Sequence, residues 1–173
     1  MWHDKLHEGD IISELDEKLR KFKNLMVKDI NVAIEGEANY LVALALSAYT
    51  EFLGGLYRCQ IKEGQAKRNY NNGLKKLGDE YIQLLDKHRN EIFFRVRCGL
   101  VHEYFIKGTA KVWMNEPSPT CCGIEFKRDG SINFYVTQYF YDFNKAIDEY
   151  IAKMKSNKAL KDYFLSKWKF DTF

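Results

Sequence analysis

A chain of 173 residues with 46% hydrophobic and 29% charged residues and only two prolines has the makeup of one compact folded unit; a disordered or collagen-like chain is excluded. Lysine plus arginine number 27 against 24 acids, a formal charge of +3, so the field of the whole molecule is too weak to mark a nucleic-acid binder and any such contact must rest on a local patch. Aromatic residues are 15% of the chain, and 16 of the 26 rings lie at or beyond Tyr104.

From Asp10 to Asp29, Ile11, Ile12, Leu15, Leu19, Phe22, Leu25 and Met26 recur at steps of three and four, which predicts an amphipathic helix. After the polar Glu35-Gly36-Glu37 interval, residues 38–58 are apolar nearly all round. They predict a second helix, central in a bundle, with Glu51 its one internal acid. The Gly54-Gly55 pair lacks the context of a phosphate loop and reads as a place where two helices approach closely. A Lys-, Arg-, Gln- and Asn-rich loop is expected over 60–72. A third helix over 73–86, burying Leu77, Tyr81, Leu84 and Leu85, and a fourth over 87–105 would follow it.

Past Gly108 the period changes to two. Val112 and Met114, Ile124 and Phe126, then Ile132, Phe134 and Val136 alternate with polar neighbours, and Asp129-Gly130 supplies a turn signal. A β-hairpin is expected, with a further strand near 111–114. Helical spacing returns at Phe140, Phe143, Ile147, Tyr150, Ile151 and Met154, and Tyr163, Phe164 and Trp168 suggest a last short helix. The fold class expected is mainly α: a four-helix up-and-down bundle over 8–106, a hairpin unit over 108–137 and C-terminal helices over 138–173, together one domain.

The cysteines, at 59, 98, 121 and 122, form no CxxC pair, and the adjacent pair does not build a zinc site. No metal or cofactor is expected. The start, MWHDKLHEGD, lacks the basic and apolar regions of a signal peptide, so reduced thiols in a cytoplasmic protein are expected. The longest uncharged apolar stretch, 38–50, is short for a bilayer crossing and reads as a core helix, with no membrane involved.

The segment that stands out is Glu91-Ile-Phe-Phe-Arg-Val-Arg-Cys-Gly-Leu-Val-His-Glu-Tyr-Phe105, where two arginines and a histidine interrupt an apolar helix. At roughly 100° per residue, Arg95 and His102 fall on one line, with Gly99 between them opening a narrow polar notch. Arg97 falls among Phe93, Leu100 and Tyr104, where a guanidinium is costly unless paired; Glu51 on the second helix is the candidate partner. His3, His7 and His88 are isolated and read as solvent-facing. Arg58, Lys62, Lys67, Arg68, Lys75 and Lys76, with Tyr70 among them and Glu63 the one acid, could follow a phosphate backbone, although a solvated face is the commoner meaning of such a run.

The run Arg97-Cys98-Gly99-Leu100-Val101-His102-Glu103-Tyr104 resembles the Arg-x4–6-His motif of the HEPN domains (higher eukaryotes and prokaryotes nucleotide-binding), in the prokaryotic form Arg-Asn-Gly-Leu-x-His-Glu-Tyr. It falls near the end of the predicted fourth helix, where those domains carry it, and the resemblance covers roughly residues 10–106. It implies metal-independent cleavage of RNA at a site composed by two protomers, often in toxin-like or defence settings. Arg97 would hold the scissile phosphate, and His102 would serve as general acid or base as the 2′-hydroxyl attacks. Arg95, Cys98, Glu51 and Tyr104 would bind RNA or support the site. Cys98 replaces the polar residue that usually follows the motif arginine, and a thiol is a poor hydrogen-bonding group. The partners implied are a second copy of the chain, RNA or a nucleotide, and a cognate protein. Two other readings use the same surface: a non-catalytic HEPN module, and a helical protein whose motif helix only forms a dimer.

Overall fold

The apolar stripe of the first segment winds into one long helix, α1 (Glu8–Glu35), in a computed structural model that describes residues 8–167. His3, His7 and Trp168 lie outside the described residues. α1 outruns its predicted end because Ile30 continues the buried stripe of Leu15, Leu19, Phe22 and Met26. It closes through paired bonds, Glu37 N–H to Ile34 O and Ala38 N–H to Ala33 O, both 2.9 Å. The left-handed residue of this cap is Glu37 and not the neighbouring Gly36.

α2 (Asn39–Arg58) buries Val42, Ala43, Leu46, Leu53 and Leu56, as its all-round apolarity predicts. By length and composition it could cross a membrane. Here its buried face is spent on α1, on α3 (Ala66–Leu77) and on α6 (Val136–Ser156). The crossing of α2 and α3 is set by glycine. A Cβ at Gly54 would fall on the backbone of Asn69 and Gly73, and one at Gly73 would fall on the carbonyl of Thr50. The close approach expected of Gly54-Gly55 is therefore real: the two helices meet backbone to backbone.

The predicted boundaries of the next helices need correction. The segment expected to be a loop over 60–72 is helical from Ala66, and the predicted third helix is cut at Gly78. Gly78 takes φ 148°, ψ 173°, a conformation open only to glycine. The polar composition of residues 66–72 hid a helix whose inward face is Asn69 and Tyr70, both buried. Beyond Gly78, α4 (Asp79–Glu91), a π-wound segment (Ile92–Arg97) and α5 (Cys98–Glu103) form one run, ended by Tyr104 at φ 65°.

Three short strands follow: β1 (Ala110–Trp113), β2 (Ile124–Phe126) and β3 (Ile132–Tyr135). The order is β1-β3-β2, with β1 parallel to β3 (Ala110 opposite Ile132) and β2 antiparallel to it (Ile124 opposite Phe134). The Asp-Gly turn forms as predicted, with Gly130 in the left-handed region and the Asp129 carboxylate accepting from the Ser131 N–H. Val136, read as the end of a strand, instead starts α6.

α6 is central to the bundle: Tyr139, Phe143, Ile147, Tyr150 and Met154 are all fully buried. α7 (Lys158–Lys167) adds Leu160 and Phe164, and the Phe164 ring meets Phe22 of α1 edge-on at 5.3 Å. Part of the aromatic excess thus closes the core across chain ends distant in sequence. The buried hydroxyls of Tyr139 and Tyr81 are satisfied within the core, whereas that of Tyr150 has no hydrogen-bond partner among the described residues. Tyr139 shares a 2.8 Å hydrogen bond with Thr50, and Tyr81 donates at 2.8 Å to Asp142 and accepts from the Gly123 N–H.

Two predictions follow from this packing. Gly54→Ala and Gly73→Ala will each lower stability by about 2–3 kcal/mol or more, because backbone must move; Gly36→Ala, whose nearest neighbour is 3.4 Å away, will stay within about 0.5 kcal/mol. Denaturant titrations followed by circular dichroism measure both. Burial raises the carboxyl of Asp142 above its ordinary value, so the folded form takes up the proton first. The charged carboxylate costs stability at neutral pH, and that cost is relieved as pH falls through the folded value. Wild type will therefore gain stability relative to Asp142→Asn between pH 7 and pH 4.

Candidate functional site

The motif lies on the part of the helical run whose winding departs from the α form. His88 breaks α4 with φ −130°, ψ 25°. From Ile92 the winding is π, and the Cys98 N–H reaches back five residues to Phe93 O. One face of the run, Phe93, Val96, Gly99 and Leu100, is buried, whereas Phe94, Val101 and His102 face outward.

Arg97 pairs with Glu51, as the buried acid of α2 predicted. Its Nε lies 2.5 Å from Glu51 Oε2, with side chains 16% and 21% exposed. The guanidinium also lies over the Phe93 ring, 5.8 Å from its centre. The pair therefore fixes one edge of the guanidinium. Nearby, burial pushes the Tyr70 hydroxyl up to about 12 against the lowering effect of its hydrogen bonds with Ser47 and Tyr139 and of Arg97, so Tyr70 stays neutral, its oxygen accepting from the Ser47 hydroxyl at 3.4 Å. Its location in the core corrects the reading of Tyr70 as part of a surface track.

Arg95 does not share a notch with His102. Its Nε donates to Lys107 O (3.1 Å) and Nη2 to Gly130 O (2.8 Å). Nη1 lies 3.3 Å from Glu91, and the guanidinium sits 5.7 Å from the centre of the Phe126 ring. Gly99 is covered too: a Cβ there would strike Phe105 O and lie 2.9 Å from Lys107 N. The expectation failed because it carried a regular α phase through a π-wound segment, and because the returning chain at 105–107 was not visible in the helical period.

His102 stands on the last turn of α5, exposed, and has no hydrogen-bond or ionic partner among the described residues. Beside it, Glu103 pairs with Lys107 at 2.6 Å. Tyr104, in the left-handed conformation, packs with Tyr40 and Phe105. Cys98 is half-buried against the core and carries no disulfide. Val101, Tyr104 and Phe105 are exposed at 37%, 48% and 57%, so large apolar side chains as well as the Glu103–Lys107 pair are exposed beside His102.

His88, expected to face solvent, instead stacks on Phe126 at 4.3 Å with rings 8° apart, and its Nδ1 is buried without a hydrogen-bond partner. It borders a cleft of about 290 Å³ between α4 and β2 that includes Glu80, Lys87, Thr120 and Cys122. No period or motif marked this cleft, because its two walls are about 35 residues apart in the chain. Burial pushes the Cys122 thiol up to about 12, which leaves it protonated and a poor nucleophile at neutral pH. Among the described residues no group of three or more metal-ligating side chains converges.

The basic interval divides. Lys76 lies over the Tyr57 ring at 4.9 Å, whereas Arg58, Lys67, Arg68 and Lys75 line one groove with Arg89 of α4. Comparison of the chain with protein-family models, curated proteins and solved structures finds no match.

The Arg97–Glu51 pair carries a direct prediction. In a double-mutant cycle of Arg97→Gln and Glu51→Gln, each single change will destabilise the fold and the coupling energy will be about 1–2 kcal/mol, since the pair is part-buried. Chemical denaturation of the four proteins measures it.

Proposed function

We propose that this chain is a HEPN-type endoribonuclease that cleaves RNA without a metal ion. The observation that carries the reading is the division of labour within one helical run: a guanidinium held by Glu51 through Nε, and an exposed, unpartnered imidazole five residues later. Glu51 orients Arg97 and leaves its Nη1 and Nη2 groups without a hydrogen-bond partner among the described residues. That edge suits two phosphate oxygens.

The chemistry then requires two proton carriers. The 2′-hydroxyl attacks the adjacent phosphorus, its proton passing to one imidazole, and the departing 5′-oxygen takes a proton from another. The products are a 2′,3′-cyclic phosphate and a 5′-hydroxyl. Arginine stabilises the charge that develops on the phosphoryl oxygens. One protomer offers a single His102, so a second copy supplies its counterpart. The exposed Val101, Tyr104 and Phe105 beside His102 support burial of this face against such a copy. The resemblance to toxin-like and defence proteins bears on the biological setting.

The non-catalytic module is the second reading, and Cys98 is what favours it: a half-buried thiol stands where an amide would offer strong hydrogen bonds.

The test incubates the purified protein with single-stranded RNA in the presence of a chelator. We expect cyclic-phosphate-ended fragments, a loss of rate of about 10²-fold or more in His102→Ala, and a comparable loss in Phe105→Glu together with a shift to monomer by light scattering. Binding retained in wild type with no cleavage under any of these conditions would decide for the non-catalytic module.

A further inference from the structure

The groove between α3 and α4 is built from charge with no acid in its lining. Its volume is about 480 Å³, its walls carry Arg58, Lys67, Arg68, Lys75 and Arg89, and the buried Leu85 lies in its floor. The polar partners of these cations are mostly neutral. Arg58 donates to the side-chain oxygens of Asn69 and Gln65, and Lys67 to that of Asn90. Arg68 and Lys75 have no partner among the described residues. Arg89 alone has an acid nearby, Asp86 at 3.7 Å and well exposed, a pair of little strength. Cations gathered in this way repel one another, and a bound polyanion relieves that repulsion.

Two further features point to a nucleic-acid strand. Lys67 of the groove wall lies 5.2 Å from the centre of the Phe94 ring, which is 53% exposed; an exposed ring beside a cation is what an unpaired base stacks on. In the groove wall, Asn71 Oδ1 is buried without a hydrogen-bond partner. Turned into the groove, this acceptor would serve a ribose hydroxyl or a base amino group, and it has nothing to offer a bare phosphate. The groove also has a physical connection to the motif, since Phe94 packs on Phe93 at 5.4 Å and Arg97 lies over Phe93.

We infer that the α3–α4 groove is a track for the phosphate chain of single-stranded RNA, with Phe94 stacking a base as the strand passes toward Arg97. The inference rests on the endoribonuclease reading for the strand's identity and its direction. It is independent of that reading for the existence of a polyanion site.

The test uses the full chain carrying His102→Ala, so that the strand stays intact, and a labelled single-stranded RNA of about 12 nucleotides, followed by fluorescence anisotropy over a range of salt. Arg68→Glu with Lys75→Glu will weaken binding at least about tenfold and flatten the log–log salt slope by about 1.4, the value for two lost contacts to a single strand. Phe94→Ala will weaken it about tenfold with the slope unchanged. Lys145→Glu with Lys158→Glu, the same change of charge on exposed positions of α6 and α7, will weaken it less than about threefold. Arg68, Lys75 and Phe94 are exposed, so melting temperatures will confirm intact folds, and Arg89→Ala gives an independent reading of the groove.

Equal losses in the groove and control pairs overturn the inference. So does an absence of single-stranded binding, or tighter binding of duplex RNA or an acidic peptide. Cleavage is read separately in the His102-containing protein. A dinucleotide too short to span the groove will be cut at the wild-type rate by the groove pair, whereas the KM for the longer strand rises. Cleavage with no groove effect on KM or Kd removes the track and leaves the nuclease; groove-dependent binding without cleavage of either substrate removes the nuclease and leaves the track.

Discussion

The backbone contact between Gly54 and Gly73 is the constraint on which the rest of the molecule depends. Side chains usually hold helices 8–10 Å apart; here the absence of Cβ atoms lets α2 and α3 close on each other at the Thr50 and Asn69 carbonyls. That contact fixes what surrounds it. Asn69 is pressed into the interface, where its amide donates to Gln60 O and its oxygen accepts from Arg58. Tyr70 is turned into the core toward Ser47, and Glu51, one residue beyond Thr50, is presented to the motif helix. A helix pair held apart by larger side chains could not place a carboxylate and the inner face of α3 under the same arginine.

Around that crossing, the polar residues of the core form a connected set. Thr50 and Tyr139 join α2 to α6; Tyr81 and Asp142 join α4 to α6; and the Gly123 N–H brings in the loop before β2. These bonds do little for net stability individually. Their effect is on uniqueness, because sliding α6 along the bundle would leave several buried hydroxyls unpaired at once. The rings therefore do two jobs: they supply buried area, and they set the register of α6.

Much of this was legible in the sequence. The period of α1, the all-round apolarity of α2 and the Asp-Gly turn each follow from local chemistry, and the Arg97–Glu51 pair follows from the cost of an unpaired guanidinium in an apolar face. What was not legible depended on distant segments or on backbone form. The π winding has no side-chain signature here, nor does the returning chain at 105–107 that covers Gly99 and engages Arg95. Residues 66–72 read as a loop because the helix they form buries an Asn and a Tyr in place of aliphatic residues. His88 gave no sign of its stacking partner, which arrives from β2, and Arg89 belongs to the basic groove only because α4 runs beside α3.

Arg95 has one more implication. Its carbonyl accepts from the Lys107 N–H while its side chain donates to Lys107 O, and the same guanidinium reaches the Gly130 carbonyl in the hairpin turn. A six-residue helix such as α5 would ordinarily fray from its free end. Here the chain that leaves it is stitched back to its base, so the last turn bearing His102 is a closed loop. The backbone beneath the imidazole is thus tied at both ends of the turn, and the hairpin tip is joined to the motif helix directly through the Arg95 side chain.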